Sequence, residues 1–170
     1  MNKVIESNRL LFQTLTIDDH QYFHKLVTNP FGRKYLFDDH ILSEEETIDI
    51  LRTNERYFLE KSLGLWKIIE KDSFSPVGVT GLWFFFEEPQ AQLLYVLSPD
   101  YTGKGYATES SKEVIKYAFT SLNYKYITAS FDKMNTASKQ VCERLNMKRC
   151  KELVVDGNCL LFYRLENTQT

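Results

Sequence analysis

The chain has 170 residues, 43% of them hydrophobic and 26% charged, and a formal net charge of −2 at pH 7. That balance is ordinary for a globular protein and offers no bulk attraction to nucleic acid or to a membrane surface. Met1-Asn2-Lys3-Val4-Ile5-Glu6 has no apolar signal core, no apolar run reaches membrane-spanning length, and three widely spaced cysteines suit a reducing, cytoplasmic setting rather than a disulfide framework.

One domain over residues 1–170 is expected, long enough to bury a core. Arg9 to Leu15 reads as an opening strand. Thr16-Ile17-Asp18-Asp19 sets a capping oxygen ahead of acids in a first helical turn. Phe23, Leu26 and Val27 form the apolar stripe behind it, and Asn29-Pro30 ends the segment. His20 and His24 stand one turn apart; without a partner motif they are expected on a solvated face, not on a metal. Between Phe31 and Leu42, Arg33-Lys34-Tyr35 and Asp38-Asp39-His40 interleave charge with aromatics. Ser43-Glu44-Glu45-Glu46 is a capping box. The helix it opens should run to about Lys61 and bury Ile48, Leu51 and Phe58.

Leu65 to Glu70 is a strand, Lys71 to Pro76 a turn, and Val77 to Phe86 the next strand, where interior glycines suggest a bulge or a close backbone approach. Glu87-Glu88-Pro89-Gln90 turns the chain into the apolar strand Leu93 to Leu97, completing an antiparallel meander. A helix follows from Tyr106, with Ala107, Val114, Ala118 and Leu122 at about 3.6-residue spacing. Tyr124 to Phe131 is again strand-like, and strand, helix, strand implies a right-handed crossover between parallel neighbours. Asn135 to Met147 is a helix with Ala137, Val141 and Leu145 along one side. Leu153-Val154-Val155 and Asn158-Cys159-Leu160 flank Asp156-Gly157, a strong hairpin signal. That register sets Cys159 opposite Val154 and Cys150 opposite Tyr163, too far apart to bridge. The order β-α-α-β-β-β-α-β-α-β-β predicts an α+β fold, a mixed, mainly antiparallel sheet flanked by helices.

The chemistry concentrates where the strand ending at Leu97 meets the helix starting at Tyr106. Glycines at 103 and 105 admit positive φ and close ligand approach. The helix N-terminus beyond them presents unpaired N–H groups and partial positive charge, a site for phosphate or pyrophosphate, with Lys104 as a neighbouring cation. The spacing is neither a dinucleotide fingerprint nor a Walker loop. Ser98-Pro99-Asp100-Tyr101-Thr102-Gly103-Lys104-Gly105-Tyr106-Ala107-Thr108-Glu109 resembles the acetyl-CoA pyrophosphate loop of the GCN5-related N-acetyltransferases (GNAT). It is most similar to their ribosomal-protein N-terminal (RimJ/RimL-like) branch. The family pattern Arg/Gln-x-x-Gly-x-Gly/Ala falls on Thr102 to Ala107, with Thr102 replacing the usual first residue. Asn135-Thr136-Ala137-Ser138 resembles the family's Asn-x-Ala-Ser helix, with Asn146 and Met147 in place of its Gly-Phe ending. The likeness extends from Arg9 to Leu165.

The resemblance implies transfer of an acetyl group from acetyl-CoA to a primary amine by direct attack in a ternary complex, without a metal. A peptide or protein N-terminal α-amine is the favoured acceptor. Pyrophosphate donors would be the N–H groups of Gly103, Lys104, Gly105, Tyr106 and Ala107, with the Thr102 and Thr108 hydroxyls. The strand edge at Tyr95, Val96 and Leu97 would pair with the pantetheine amides, a backbone N–H near Val96 would serve the thioester oxygen, and Asn135 and Ser138 would complete the cofactor site. The tyrosine that many members use as thiolate acid falls here on Cys142. The branch's serine is Ser138, which either protonates the thiolate or only binds the cofactor. The branch's glutamate position is Gln92, which cannot act as a base, leaving Glu87 and Glu88 as candidates. Trp83, Phe85 and Gln92 are expected at the acceptor wall. The acceptor would be a protein N-terminus or a small molecule, and the protein a monomer or homodimer. The replacements at 102, 142 and 92 also admit an alternative, a GNAT-fold module that binds CoA for regulation or assembly without catalysis.

Overall fold

A computed structural model describes residues 4–85 and 89–169. Its strands are β1 (Leu10–Thr14), β2 (Leu65–Glu70), β3 (Pro76–Trp83), β4 (Gln92–Leu97), β5 (Tyr126–Asp132), β6 (Lys148–Val155) and β7 (Asn158–Glu166). The helices are α1 (His20–Thr28), the short α2 (Pro30–Arg33), α3 (Glu44–Lys61), α4 (Tyr106–Thr120) and α5 (Thr136–Arg144). No helix among the described residues is long and apolar enough to cross a membrane.

The α+β architecture stands, with the sheet in two antiparallel pieces, β1-β2-β3-β4 and β5-β7-β6. Among the described residues no ladder joins β4 to β5, so the expected parallel pairing across the crossover is not made. Side chains link the strands instead: Gln90 Nε2 donates to the Tyr126 carbonyl at 2.5 Å and Ser130 Oγ to Gln92 Oε1 at 2.8 Å. The space that a ladder would have closed is a cavity lined by both strands. β3 ends at Trp83, sooner than expected, and Phe86 lies outside the described residues. Its Gly78 marks the anticipated close approach, since a Cβ there would stand 2.3 Å from the Val96 carbonyl oxygen.

The β1–β4 sheet is covered on both faces. Leu10, Phe12, Ile68, Val77 and Leu82 pack toward Val114, Ile115 and Ala118 of α4. On the other face Leu15, Leu65, Val79 and Val96 meet Phe23, Leu26, Val27 and Leu51 of α1 and α3. Each fully buried aliphatic side chain there contributes roughly 1.5–3 kcal/mol by leaving water.

Several local expectations are met closely. Ser43 Oγ accepts from the Glu46 N–H at 3.1 Å and the Glu46 carboxylate from the Ser43 N–H at 2.7 Å, a closed capping box on α3. Asp156 (φ 50°) and Gly157 (φ 80°) form the two-residue hairpin turn, with Cys159 opposite Val154. Others are corrected. The buried row of α3 is Thr47, Leu51 and Asn54, while Ile48 and Phe58 are half-buried. Asn54 is tolerated there because its amide is satisfied, donating to the Leu15 and Leu65 carbonyls and accepting from the Leu65 N–H. The α1 histidines do not form a solvated face: both are half-buried, and His24 Nδ1 meets Thr47 Oγ1 of α3 at 2.8 Å. A bulge between Arg149 and Lys151 leaves Cys150 outside the register, so Arg149 takes the place opposite Tyr163. All three cysteines are free.

Candidate active site

β4 stops at Ser98 because Pro99 cannot donate to the ladder, and residues Pro99–Tyr101 form a 3-10 turn. Gly103 (φ 73°) and Gly105 (φ 81°) carry the chain through left-handed geometry into α4. Gly105 is the N-cap, so no side-chain oxygen occupies the first-turn N–H groups of this fifteen-residue helix. An exposed amide cluster at the positive end of a helix is a ready anion site.

Ser98 N–H donates to the Val77 carbonyl at 2.9 Å, and Thr80 Oγ1 to the Leu94 carbonyl at 3.1 Å. Antiparallel alternation therefore turns the Leu94 and Val96 backbone groups into the β3 ladder and those of Tyr95 and Leu97 toward the open edge. The Val96 N–H is thus taken up in the sheet, and the Tyr95 and Leu97 N–H groups are the free ones on either side of it.

On α5, Asn135 is the N-cap, its Oδ1 accepting from the Ser138 N–H at 3.1 Å. This cap places the Ser138 side chain on the first turn, at the wall shared with β4. The Tyr95 hydroxyl is buried beside Ser138 without closing a hydrogen bond of good geometry. Burial holds that phenol well above its ordinary value, with Ser138 opposing the shift. Cys142 lies one turn along the helix, its thiol pushed up to about 12 by burial and by Glu143. It stays protonated near neutrality, which suits packing and not nucleophilic attack.

These elements enclose one cavity of about 760 Å³, within the range of small-molecule sites. Tyr95, Val96, Leu97, Thr102, Gly103, Gly105, Tyr106, Ala107, Thr108, Asn135, Ser138 and Phe85 all line it. Thr108 Oγ1 and the Tyr95 hydroxyl are buried polar atoms without partners at its wall, which fits a ligand carrying phosphates and amides. The Thr102 hydroxyl differs from expectation: it donates to the Pro99 carbonyl at 2.9 Å and is committed to the loop.

Other residues stay out of the cavity lining. Lys104 sends its ammonium over the Tyr101 ring, 5.0 Å from the centroid. Trp83 packs tilted against Tyr57, with ring centroids 5.1 Å apart, on the α3 side of the core. Gln92 is 0% exposed and held by Ser130, because its strand position faces the seam with β5. Glu87 and Glu88 lie outside the described residues.

Sequence reading takes Asp38 as surface charge and misses the wall that it forms with Phe31, Gly32, Lys34, Tyr35, Leu36 and Phe37. The signal was the interleaving of aromatics with charge, without helical or strand periodicity. Phe37, Asp38 and Asp39 all hold positive φ, 56°, 51° and 61°, a strained run of the kind found at functional walls. Asp38 and Asp132 are the carboxylates among the described lining residues. Asp132 accepts from the Met134 N–H at 2.8 Å.

Known proteins resemble this chain in sequence and in fold. The uncharacterized N-acetyltransferase YnaD of Bacillus subtilis (strain 168) is 25% identical over 157 residues, 91% of this chain and 89% of that protein. The spermidine N(1)-acetyltransferase of Escherichia coli (strain K12) is 24% identical over 146 residues, 81% of this chain and 72% of its own. An acetyltransferase (GNAT family) from Bacillus anthracis superposes with a TM-score of 0.80 at 22% identity, covering 96% of this chain and 98% of that one. RimL, a ribosomal L7/L12 alpha-N-protein acetyltransferase solved in complex with coenzyme A, superposes at 0.81 with 17% identity over 96% and 98%. The Acetyltransferase (GNAT) domain family matches residues 9–148, which carry both motifs and the β4, α4 and α5 walls of the cavity, and the chain belongs to that family of acetyl-CoA-dependent acetyltransferases.

Proposed function

We propose that the protein transfers the acetyl group of acetyl-CoA to a primary amine, favouring a peptide or protein N-terminal α-amine, by direct attack while both substrates are bound. One observation carries this reading: the open β4 edge, the uncapped N-terminus of α4 and Ser138 meet in a single cavity. The N–H groups of the α4 first turn and the Thr108 hydroxyl would hold the diphosphate. The free backbone groups of Tyr95 and Leu97 would pair with the pantetheine amides as a neighbouring strand would.

Ser138, at the wall shared with β4, would give the departing sulfur a proton or a hydrogen bond. For the amine proton, Asp38 is the cavity carboxylate without the backbone commitment of Asp132, and Glu87 and Glu88 stay as candidates from the sequence. Only the neutral amine attacks. An α-amine of pKa about 7.8 is roughly 14% neutral at pH 7, a lysine side chain of pKa about 10.4 only about 0.04%. The difference is about 3.5 kcal/mol of deprotonation that a lysine acceptor would demand and an α-amine would not. The α-amine activity in the RimL neighbour's name supports the same choice.

A polyamine acceptor is the second reading. A hollow of about 450 Å³ adjoining the cavity is bordered by Asp38, Asp39 and Asp132, and one relative is a spermidine acetyltransferase. The test measures thiol release from acetyl-CoA with matched peptides, one with a free N-terminus and blocked lysine, the other reversed, beside spermidine. Higher kcat/KM on the free N-terminus is expected. Faster turnover on the lysine peptide or on spermidine would overturn the preference, and thermal stabilisation by CoA with no turnover on any amine would point to a binding module.

A further inference from the structure

Arg9 precedes β1, far from the glycine loop in sequence, yet it holds that loop at several points. Its Nη2 donates to the Lys104 carbonyl oxygen at 2.9 Å and its Nε to Glu109 Oε2 at 2.6 Å. Its guanidinium lies over the Tyr106 ring, 4.4 Å from the centroid. A Cβ built on Gly105 would stand 3.5 Å from the same Nη2. Glu109 is fixed in turn: its Oε1 accepts from Ser7 Oγ at 2.7 Å and from the Arg9 N–H at 2.9 Å. Arg9 itself is absent from the cavity lining, whereas Gly103 and Gly105 border the cavity.

The Lys104 carbonyl and the Gly105 N–H belong to one trans peptide unit, in which they point in opposite directions. Drawing the carbonyl toward Arg9 aims the Gly105 N–H away from Arg9. We infer that Arg9 is a positioning residue for the pyrophosphate loop, holding the Lys104–Gly105 peptide so that its N–H faces the diphosphate of acetyl-CoA. This rests on the placement of the diphosphate at the loop. Thr102, at the position where the family pattern has arginine or glutamine, is tied to Pro99, and the side chain that reaches the Lys104 carbonyl comes from the segment before β1.

A lysine cannot replace this contact, because one ammonium has neither the planar fork that reaches Lys104 and Glu109 together nor the flat face that stacks on Tyr106. An exposed ion pair adds little stability, so the effect belongs in binding.

The experiment compares wild type with Arg9→Lys and Arg9→Gln, each checked for folding by circular dichroism. It measures the calorimetric Kd for CoA, and kcat/KM for acetyl-CoA and for S-acetylpantetheine, which lacks the diphosphate, with one common amine. Both variants should bind CoA about tenfold more weakly, and the preference for acetyl-CoA over S-acetylpantetheine should fall by the same factor, one hydrogen bond to an ionised group. Wild-type affinity in Arg9→Lys would overturn the inference by showing that charge alone suffices. An unchanged preference ratio would overturn it by showing a general structural role. Gly105→Ala separates the two levels: if it weakens CoA while the Arg9 variants do not, only the role of Arg9 fails, and if it too leaves CoA affinity unchanged, the loop placement fails with it.

Discussion

Thr108 offers a test in which stability and ligand affinity should move in opposite directions. Its hydroxyl is buried at the cavity wall, in the first turn of α4, and has no hydrogen-bond partner. Such a group costs about 1–3 kcal/mol. Valine has the same branched shape and nearly the same helix propensity, so Thr108→Val removes the unsatisfied hydroxyl and changes little else. Without ligand the variant should gain about 1 kcal/mol, which for a chain of this size raises Tm by about 2–4 °C. With CoA the sign reverses. A hydrogen bond from the hydroxyl to an ionised phosphate contributes about 1.5–3 kcal/mol, so losing it should raise the Kd for CoA roughly ten- to hundredfold. Scanning calorimetry gives the first quantity and titration calorimetry the second. An unchanged Kd would refute the assignment of Thr108 to the cofactor, and a lower Tm without ligand would refute the claim that the hydroxyl is unsatisfied.

The role of Ser138 separates kinetically. Ser138→Ala should lower kcat with little change in the KM for acetyl-CoA if the serine protonates the thiolate, whereas a rise in that KM alone would make it a binding residue. Glu109 sets a pH dependence. Burial raises its pKa, but Ser7 and Arg9 outweigh burial and hold it below the ordinary value of 4.5. Its contribution is therefore present above the unfolded-state pKa and is lost as pH falls through the lower folded value. The Tm gap between wild type and Glu109→Gln should shrink below about pH 4.5, and a gap constant from pH 6 to pH 3 would contradict the brace.

Local features were legible before any coordinates because their causes lie within a few residues. Ser43 and Glu46 cap α3 reciprocally from adjacent turns, and the Asp156-Gly157 turn needs only residues that tolerate positive φ. The start of α4 at Tyr106 follows from the two glycines before it. The Gly-x-Gly loop and the Asn-x-Ala-Ser helix pointed to the family for the same reason.

What tertiary structure decided was which way residues face and what reaches them from far along the chain. Trp83 and Gln92 looked like acceptor-wall residues until strand pairing turned Trp83 toward Tyr57 and Gln92 into the β5 seam. Which β4 amides are free depends on ladder parity, fixed by Ser98 pairing with Val77, and a shift of one residue would exchange the sets. The Phe31 to Asp38 wall has no periodicity of its own and becomes legible only against the cavity it closes. Arg9 meets Lys104 across 95 positions of sequence, and no local pattern announces such a contact: it exists because the segment before β1 runs past the first turn of α4, where Ser7 and Arg9 both bond Glu109.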